Sequence, residues 1–426
     1  MNVFKFAIFF IILCTILTGC NSNEKSAENF QLPSIAPITS NNAADKVDVD
    51  IYFDATYSMQ GYTTLAAGNV YRTLPDLLGD IAGSMGSVKF YRFGETIQPL
   101  DGRDYRSFSS PEPYNELITA VHNVIDKADD SHLSIIVTDL FESEADWSNI
   151  SQKIRDKYFA KHQAVAIIGI KNSFNGDIFD VGLNAAKFKY NSYDYPERFR
   201  PFYLLLLGNV SAITDFMQKF KDRQTLPNET EYLLLSENLT DSSNDFSTLQ
   251  TDTMQNFFAE DNLGIRDKRI KEFELDNFNK PASFTLTFDY KPQLGACPID
   301  MSTLTPAIQV MSLDNDEWQI KSDNDINVEM IPIDEHYDVK LSLTPENSLV
   351  DKHINFIQIS ISPMAKGYNL PDWIRNWSMA NVDAAPETFD GSKTVNLINI
   401  ISSLKDSVFA ASRPSLMNIN FIVNAR

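Results

Sequence analysis

Two short segments of this 426-residue chain carry side chains that could bind a metal ion together. In the first, Asp54, Thr56 and Ser58 place a carboxylate and two hydroxyl groups at alternate positions. In the second, further along the chain, Thr138 is followed by Asp139. Oxygen ligands of this kind suit a hard cation, above all Mg²⁺, which prefers octahedral coordination and retains some of its water. The two segments predict a cation site if the fold brings them together.

Both segments directly follow apolar runs that predict buried strands, at 47–53 and 133–138. Unbroken apolar strands indicate burial on both faces of a sheet. Strand–helix alternation over this region predicts a doubly wound α/β sheet. Ligands on such a sheet bind at the carboxyl ends of the strands, which is where Asp54 and Asp139 lie. The further strands are expected at 87–93, 164–170 and 202–207, and the helices at 69–85, 116–128, 144–159 and 210–220.

Residues 47–221 resemble the von Willebrand factor A-type domain, both in the order of their elements and in the loop after the first strand. The metal-ion-dependent adhesion site of that family uses D-x-S-x-S, a distant Thr and the Asp of a T-D-G strand end. The resemblance implies that Asp54, Thr56 and Ser58 hold a divalent cation, Mg²⁺ foremost with Mn²⁺ or Ca²⁺ as alternatives. It implies that Asp139 contacts the cation through water, and that an open coordination position accepts a carboxylate of a protein partner.

The chain departs from the family pattern in three ways. Thr56 replaces a Ser, which is chemically equivalent, while Tyr57 and Leu140 stand where the family has glycine. The distant Thr of the family lies just before the helix that follows the second strand. Counting back from Ala120 gives Asn115, whose side-chain carbonyl could also ligate. Alternatives for this position are Ser109, Ser110 and Thr119.

The N-terminus has the features of a bacterial lipoprotein signal. Lys5 precedes an apolar run, 6–17, which is too short to span a bilayer as a helix but fits a secretory signal. The run leads into Leu17-Thr18-Gly19-Cys20, which resembles a lipobox. The resemblance implies cleavage before Cys20 and diacylation of its thiol. We expect an extracytoplasmic protein anchored by lipid in the cell membrane or the outer membrane, with Asn21 favouring the outer membrane.

The sequence predicts five parts. Residues 1–19 are the lipoprotein signal peptide, and residues 20–46 are the lipidated Cys and a flexible tether with a root-mean-square reach of about 28 Å. The α/β domain covers 47–221. The polar segment 222–269 is predicted to be an irregular connector. Shorter alternating strands over 270–426 predict a mainly β domain, either a sandwich or a barrel, with helices near its C-terminus.

Charge and motifs exclude several classes of function. The formal net charge of −21 opposes contact with phosphate backbones, so we expect no nucleic-acid partner. The five histidines are scattered without the spacing of a zinc site. No G-x-S-x-G motif occurs, and Cys297 is expected to be a buried or idle thiol. We therefore expect a protein that is not an enzyme.

Together these features predict a membrane-anchored protein-binding module with a divalent cation at the top of its α/β domain. Its partner is expected to be basic or neutral overall and to offer one Asp or Glu. The alternative is a structural subunit of an envelope or secretion assembly, in which the same fold binds its partner without metal. Metal dependence of partner binding separates the two.

Overall fold

The computed structural model describes residues 32–33, 46–66, 69–140, 144–181, 186–223, 229–237, 254–260, 265, 267, 270–288, 291–322, 325–333, 336–380, 389–411 and 414–425. The predicted signal peptide, the lipidation at Cys20 and most of the predicted tether lie outside these residues. Within them, no helix combines the length and the apolar character needed to cross a membrane.

The first half of the chain builds one seven-stranded sheet with helices on both faces. Its elements are β1 (Val49–Asp54), α1 (Tyr57–Gln60), α2 (Leu74–Gly83), β2 (Val88–Phe93), β3 (Ile97–Leu100), α3 (Val121–Lys127), β4 (Leu133–Thr138), α4 (Glu144–Lys157), β5 (Ala164–Asn172), β6 (Asn175–Val181), β7 (Ala186–Asn191), β8 (Arg200–Gly208), α5 (Val210–Lys221) and β9 (Thr230–Leu235). The strand order is β3-β2-β1-β4-β8-β5-β9, and β2, β1 and β4 run parallel. The prediction of an α/β sheet with parallel strands is confirmed.

The central strands bury side chains on both faces, as their unbroken apolar sequences predict. Tyr52 and Ile136 point into a cluster with α3 and α4. Their neighbours Phe53 and Val137 point into a second cluster with α2 and α5. Alternate residues of a strand face opposite sides of the sheet, so every position of these strands is removed from water.

Two strands depart from the doubly wound pattern. The chain between β5 and β8 forms the β6–β7 hairpin instead of a helix, and β8 lies antiparallel between β4 and β5. A parallel neighbour would need a longer crossover connection. As a result Arg200, at the start of β8, lies at the sheet edge where β1 and β4 end. The other departure is β9, antiparallel to β5, which lies inside the predicted irregular connector.

The second half is mainly β, as predicted. Its elements are β10 (Phe257–Glu260), β11 (Ile270–Leu275), β12 (Ala282–Phe288), β13 (Leu304–Asp314), β14 (Glu317–Lys321), β15 (Ile326–Ile333), β16 (His336–Leu343), α6 (Pro345–Ser348), β17 (Ile354–Pro363), α7 (Asp372–Asn376), β18 (Ser378–Met379), β19 (Thr394–Val395), α8 (Leu397–Ala411) and β20 (Met417–Asn424). A six-stranded sheet, β10-β11-β20-β17-β13-β14, packs on the three-stranded sheet β12-β16-β15. Phe284 of β12 joins them, with its ring 5.2 Å from that of Phe421 of β20.

The two halves share one hydrophobic core. Helix α8 packs on α4, where the hydroxyl of Ser403 donates to that of Ser151 at 2.8 Å. Trp373 and Trp377 lie against Gly169 of β5. A β-carbon on Gly169 would lie 2.8 Å from the Trp377 ring, so the approach depends on glycine at this position. The C-terminal region therefore covers part of the first sheet.

A smaller apolar cluster lies on the opposite face of the six-stranded sheet from the three-stranded one. It contains Ile270, Met311, Phe356 and Ile422. Leu32, which belongs to the predicted tether, packs against this cluster. The segment predicted to be a tether thus contacts the C-terminal sheet at Leu32.

Candidate metal site

The carboxylate of Asp54 is the centre of the candidate site. Asp54 ends β1 and is fully buried. Its Oδ1 accepts hydrogen bonds from the main-chain N–H and the hydroxyl of Thr56, at 3.0 and 2.7 Å. Its Oδ2 accepts one from the hydroxyl of Thr138, the last residue of β4, at 3.0 Å. The parallel pairing of β1 and β4 brings these groups to the same sheet edge.

Two further hydroxyl groups complete the cluster on its outer side. Ser58 Oγ lies 3.1 Å from Thr56 Oγ1. Thr119 Oγ1 lies 3.3 Å from both Asp54 Oδ2 and Thr56 Oγ1. Ser58 and Thr119 are only partly buried, whereas Asp54 and Thr56 are buried. The site therefore opens to solvent between Ser58 and Thr119.

The structure does not bring Asn115 into this cluster. Its Oδ1 accepts a hydrogen bond from Arg92 Nη2 at 2.6 Å. The helix expected from residue 116 begins only at Val121, with Ala120 as its N-cap, so Thr119 lies in the loop just before the helix. Of the alternatives considered, Thr119 is the one that contacts Asp54. The hydroxyls of Ser109 and Ser110 instead donate to main-chain carbonyls of their own turn.

Asp139 is buried beside this cluster and faces a buried arginine. The carboxylate of Asp139 lies 3.9 Å from Nη2 of Arg200. Nη1 of Arg200 donates to the main-chain carbonyls of Gly391 and Lys393, at 3.1 and 3.2 Å. The guanidinium also lies over the ring of Phe174, 5.6 Å from its centroid. Arg200 therefore links the candidate site to the C-terminal part of the chain.

Electrostatics at the site favour the arrival of a positive charge. Burial raises the pKa of Asp54 to about 7, and the negative charge of Asp139 raises it as well. The hydrogen bonds from Thr56 and Thr138 lower it. Both causes of the increase disfavour the ionised carboxylate, and a bound cation would offset both.

The main chain beyond Asp139 is strained. Leu140 has a φ of 56°, in the left-handed region that favours glycine. This is the position at which the A-type family has glycine. The side chain of Leu140 is fully buried, so its apolar contacts offset a backbone cost of roughly 1–2 kcal/mol. The Thr138 hydroxyl accepts a hydrogen bond from the Leu140 N–H at 3.3 Å.

The donor set fits a hard divalent cation. Within the described ranges, no group of three or more His, Cys, Asp or Glu side chains could hold a metal ion. The candidate site has two carboxylates and otherwise depends on hydroxyl oxygens, which are ligands suited to Mg²⁺ rather than to a softer metal. Asp54, Thr56 and Ser58 have the types and positions to hold such an ion, with Thr119 beside them.

No protein-family model matches the chain. A search among curated proteins finds no match either.

The thiol of Cys297 is not a reactive group in the fold. It is buried, and burial raises its pKa to about 12. The thiolate, which is the nucleophilic form, is therefore scarce at neutral pH. The expectation that Cys297 is buried is confirmed.

Arg200 is the site residue that the sequence did not reveal. It lies just before the apolar run 202–207, which predicts a strand but not its direction. In a parallel strand, Arg200 would lie at the edge opposite Asp54. Only the antiparallel hairpin connection brings it to Asp139.

Proposed function

We propose that this chain is a lipid-anchored protein of the bacterial envelope that binds a protein partner through a divalent cation. The cation lies at the carboxyl edge of an A-type α/β domain. The observation that carries this proposal is the convergence of hydroxyls from three separate segments of the chain on the buried carboxylate of Asp54. Asp139, on the neighbouring strand end, adds a second carboxylate. Lipid anchorage is supported by the Leu17-Thr18-Gly19-Cys20 segment.

In this proposal each residue has a distinct role. Asp54 binds the cation, and Thr56 and Ser58 contribute their hydroxyl oxygens. Asp139 acts through a water molecule, and Thr119 takes the role that the sequence assigns to Asn115. When bound, the cation supplies an electrophilic centre with a position open to a carboxylate of the partner.

The balance of charge supports an acidic group as the incoming ligand. One carboxylate in direct contact with a divalent cation leaves positive charge at the open position, because hydroxyl ligands are neutral. The net charge of −21 opposes an acidic partner at long range, although salt screens exposed charges beyond about 10 Å at 0.1 M. A partner that is basic or neutral overall but offers one Asp or Glu satisfies both conditions.

Arg200 favours a second candidate function. Its buried guanidinium is a fixed positive charge 3.9 Å from Asp139. Such a charge can balance one of the two carboxylates without any metal. The chain would then be a structural subunit of an envelope assembly, in which the loops around Asp54 bind their partner independently of a cation.

Titration calorimetry with Mg²⁺ or Mn²⁺ tests the proposal. We expect the wild-type chain to bind one ion and Asp54→Asn to lose that binding while remaining folded. Asp50→Asn is the matched control, because Asp50 is a buried carboxylate at the other end of β1, where it contacts His132. The control is expected to keep its affinity for the ion.

Recovery of crosslinked partners from cells then separates the two candidate functions. Metal-dependent binding predicts that EDTA and Asp54→Asn both remove the partner. If wild-type protein binds no ion and the same partner is recovered at the same yield with EDTA, the structural subunit is the correct description.

A further inference from the structure

Three exposed apolar side chains lie next to the candidate metal site. Leu117 is 85% exposed, Ile118 56% and Tyr57 41%. We term these three residues the apolar rim. A single exposed apolar residue is ordinary on a protein surface, whereas a group of them beside a polar site is typical of an interaction surface.

Main-chain hydrogen bonds hold the apolar rim beside the cation ligands. The Glu116 N–H donates to the Ala55 carbonyl at 3.0 Å, and the Tyr57 N–H donates to the Glu116 carbonyl at 3.1 Å. Leu117 and Ile118 therefore lie between Glu116, which is hydrogen-bonded to the loop after β1, and Thr119. The hydroxyl of Thr119 lies 3.3 Å from Asp54. Each residue of the rim is within two sequence positions of a candidate ligand.

The loop that leads into β8 carries two further exposed aromatic side chains. Tyr193 and Tyr195 are exposed, and the loop ends at Arg200 beside Asp139.

The chemistry of the site determines what can occupy the rim. A cation with an open position selects a carboxylate, and apolar side chains gain free energy only by covering apolar surface. Consecutive Cα atoms of an extended chain are about 3.8 Å apart, so residues next to an Asp or Glu stay close to a site that binds its carboxylate. The occupant with both properties is a peptide segment, whereas a free small carboxylate has only one of them.

We propose, building on the proposed function, that the site binds an extended segment of a protein partner in which one Asp or Glu is flanked by aliphatic or aromatic side chains. Asp54, Thr56 and Ser58 would hold the cation that receives the carboxylate. The apolar rim binds the flanking side chains and so determines which acidic segments are accepted.

Selection from a random peptide library tests this specificity. The full chain is immobilised in detergent with Mg²⁺, a phage-displayed library of 12-residue peptides is applied, and bound phage are eluted with EDTA. We expect the eluted peptides to be enriched in Asp or Glu with an apolar residue directly beside it. Leu117→Ser combined with Ile118→Ser is expected to weaken binding of a selected peptide about tenfold or more, because two apolar contacts are lost.

Matched measurements separate the rim from the metal. Ile320→Ser replaces an equally exposed aliphatic residue on β14 and is expected to leave peptide binding unchanged. Calorimetry with Mg²⁺ alone should give the same affinity for wild type and the rim variant. If the wild-type chain binds no Mg²⁺, the proposed function is refuted. Normal Mg²⁺ binding with no enrichment of apolar-flanked acidic peptides, or equal peptide binding by the rim variant, would refute only the role of the rim.

Discussion

At the scale of single residues, the position occupied by Thr119 decides how the candidate site is completed. Replacing Thr119 with Ala removes a hydroxyl that lies 3.3 Å from Asp54, whereas Asn115→Ala removes a side chain bonded to Arg92. We expect Thr119→Ala to weaken Mg²⁺ binding about tenfold, as for the loss of one hydrogen-bonding or ligating group, and Asn115→Ala to leave it unchanged. Calorimetry measures the Mg²⁺ affinity of both variants. If Asn115→Ala weakens Mg²⁺ binding and Thr119→Ala does not, Asn115 is the ligand.

Arg200 gives a second prediction at this scale. Arg200→Lys keeps the positive charge but cannot reproduce the planar guanidinium that bonds the carbonyls of Gly391 and Lys393, so we expect a loss of about 2 kcal/mol in the free energy of unfolding. Arg200→Met removes the charge as well and is expected to cost about 3–5 kcal/mol. Urea unfolding measures both. Arg198→Met, an exposed neighbour, is the control and should change stability by less than about 1 kcal/mol.

The residues of the site differ in how well the sequence predicts them. Asp54, Thr56 and Ser58 were predictable because they come together within one turn. Thr119 was only an alternative to Asn115, because Glu116 and Leu117 are good helix formers and suggest an earlier helix start. In the structure Glu116 pairs with Thr56 as a bridge, so a tertiary contact overrides local propensity. Arg200 required knowledge of strand direction.

At the scale of elements, the contact between β5 and the tryptophans at α7 can be tested directly. Gly169→Ala places a β-carbon 2.8 Å from the Trp377 ring, so we expect the free energy of unfolding to fall by about 1–3 kcal/mol. Adding Trp377→Leu should make the double variant more stable than the sum of the two single effects predicts. Gly83→Ala, at the end of α2 with nothing within 4 Å, is the control and should be neutral or stabilising. Additive effects would show that the two sites do not touch.

The sequence predicts the position of a strand well where its apolar pattern is strong. The buried strands β1, β4 and β5 are found close to their predicted positions because continuous apolar runs leave little ambiguity. Strand β13 has a weaker local signal, because it contains Pro306 and proline is rare in paired strands. Strand β14 pairs only with residues 310–314 of β13. Pro306 therefore lies on a part of β13 that pairs with β17 on one side and has no described strand on the other. Long-range pairing of this kind is not visible in a local pattern.

At the scale of the whole molecule, the two predicted domains are one packed unit over the described residues. Helix α8 lies on α4, and the C-terminal tryptophans lie on β5. The predicted boundary at 221 followed a change in composition, but β9 extends the first sheet beyond it. The composition of a segment indicates how exposed it is, but it does not indicate which sheets pack against each other. The shared core could therefore not be predicted from the sequence.

The proposed lipid anchor at Cys20 would determine where the whole molecule is held. Cys20→Ser removes the thiol that the lipobox resemblance assigns to acylation, so we expect the variant to remain uncleaved or to leave the membrane. Metabolic labelling with a palmitate analogue should mark the wild-type chain and not Cys20→Ser. Cys14→Ser is the control, because Cys14 lies inside the predicted signal and should not affect labelling. Equal labelling of Cys20→Ser would rule out the proposed anchor.

The packing of Leu32 on the C-terminal sheet limits how far from its anchor a lipid-anchored molecule could reach. If Cys20 carries the predicted lipid, about 12 residues separate the anchor from Leu32, and the coil estimate for the predicted tether falls from about 28 Å to about 19 Å. Because the volume explored scales as the cube of the reach, the local concentration of a membrane-bound target rises roughly threefold. Leu32→Asp should release the segment and increase the mean height above the bilayer. Reduced energy transfer from a label on β14 to acceptor lipids would report that change, and unchanged transfer would show that Leu32 does not restrain the chain.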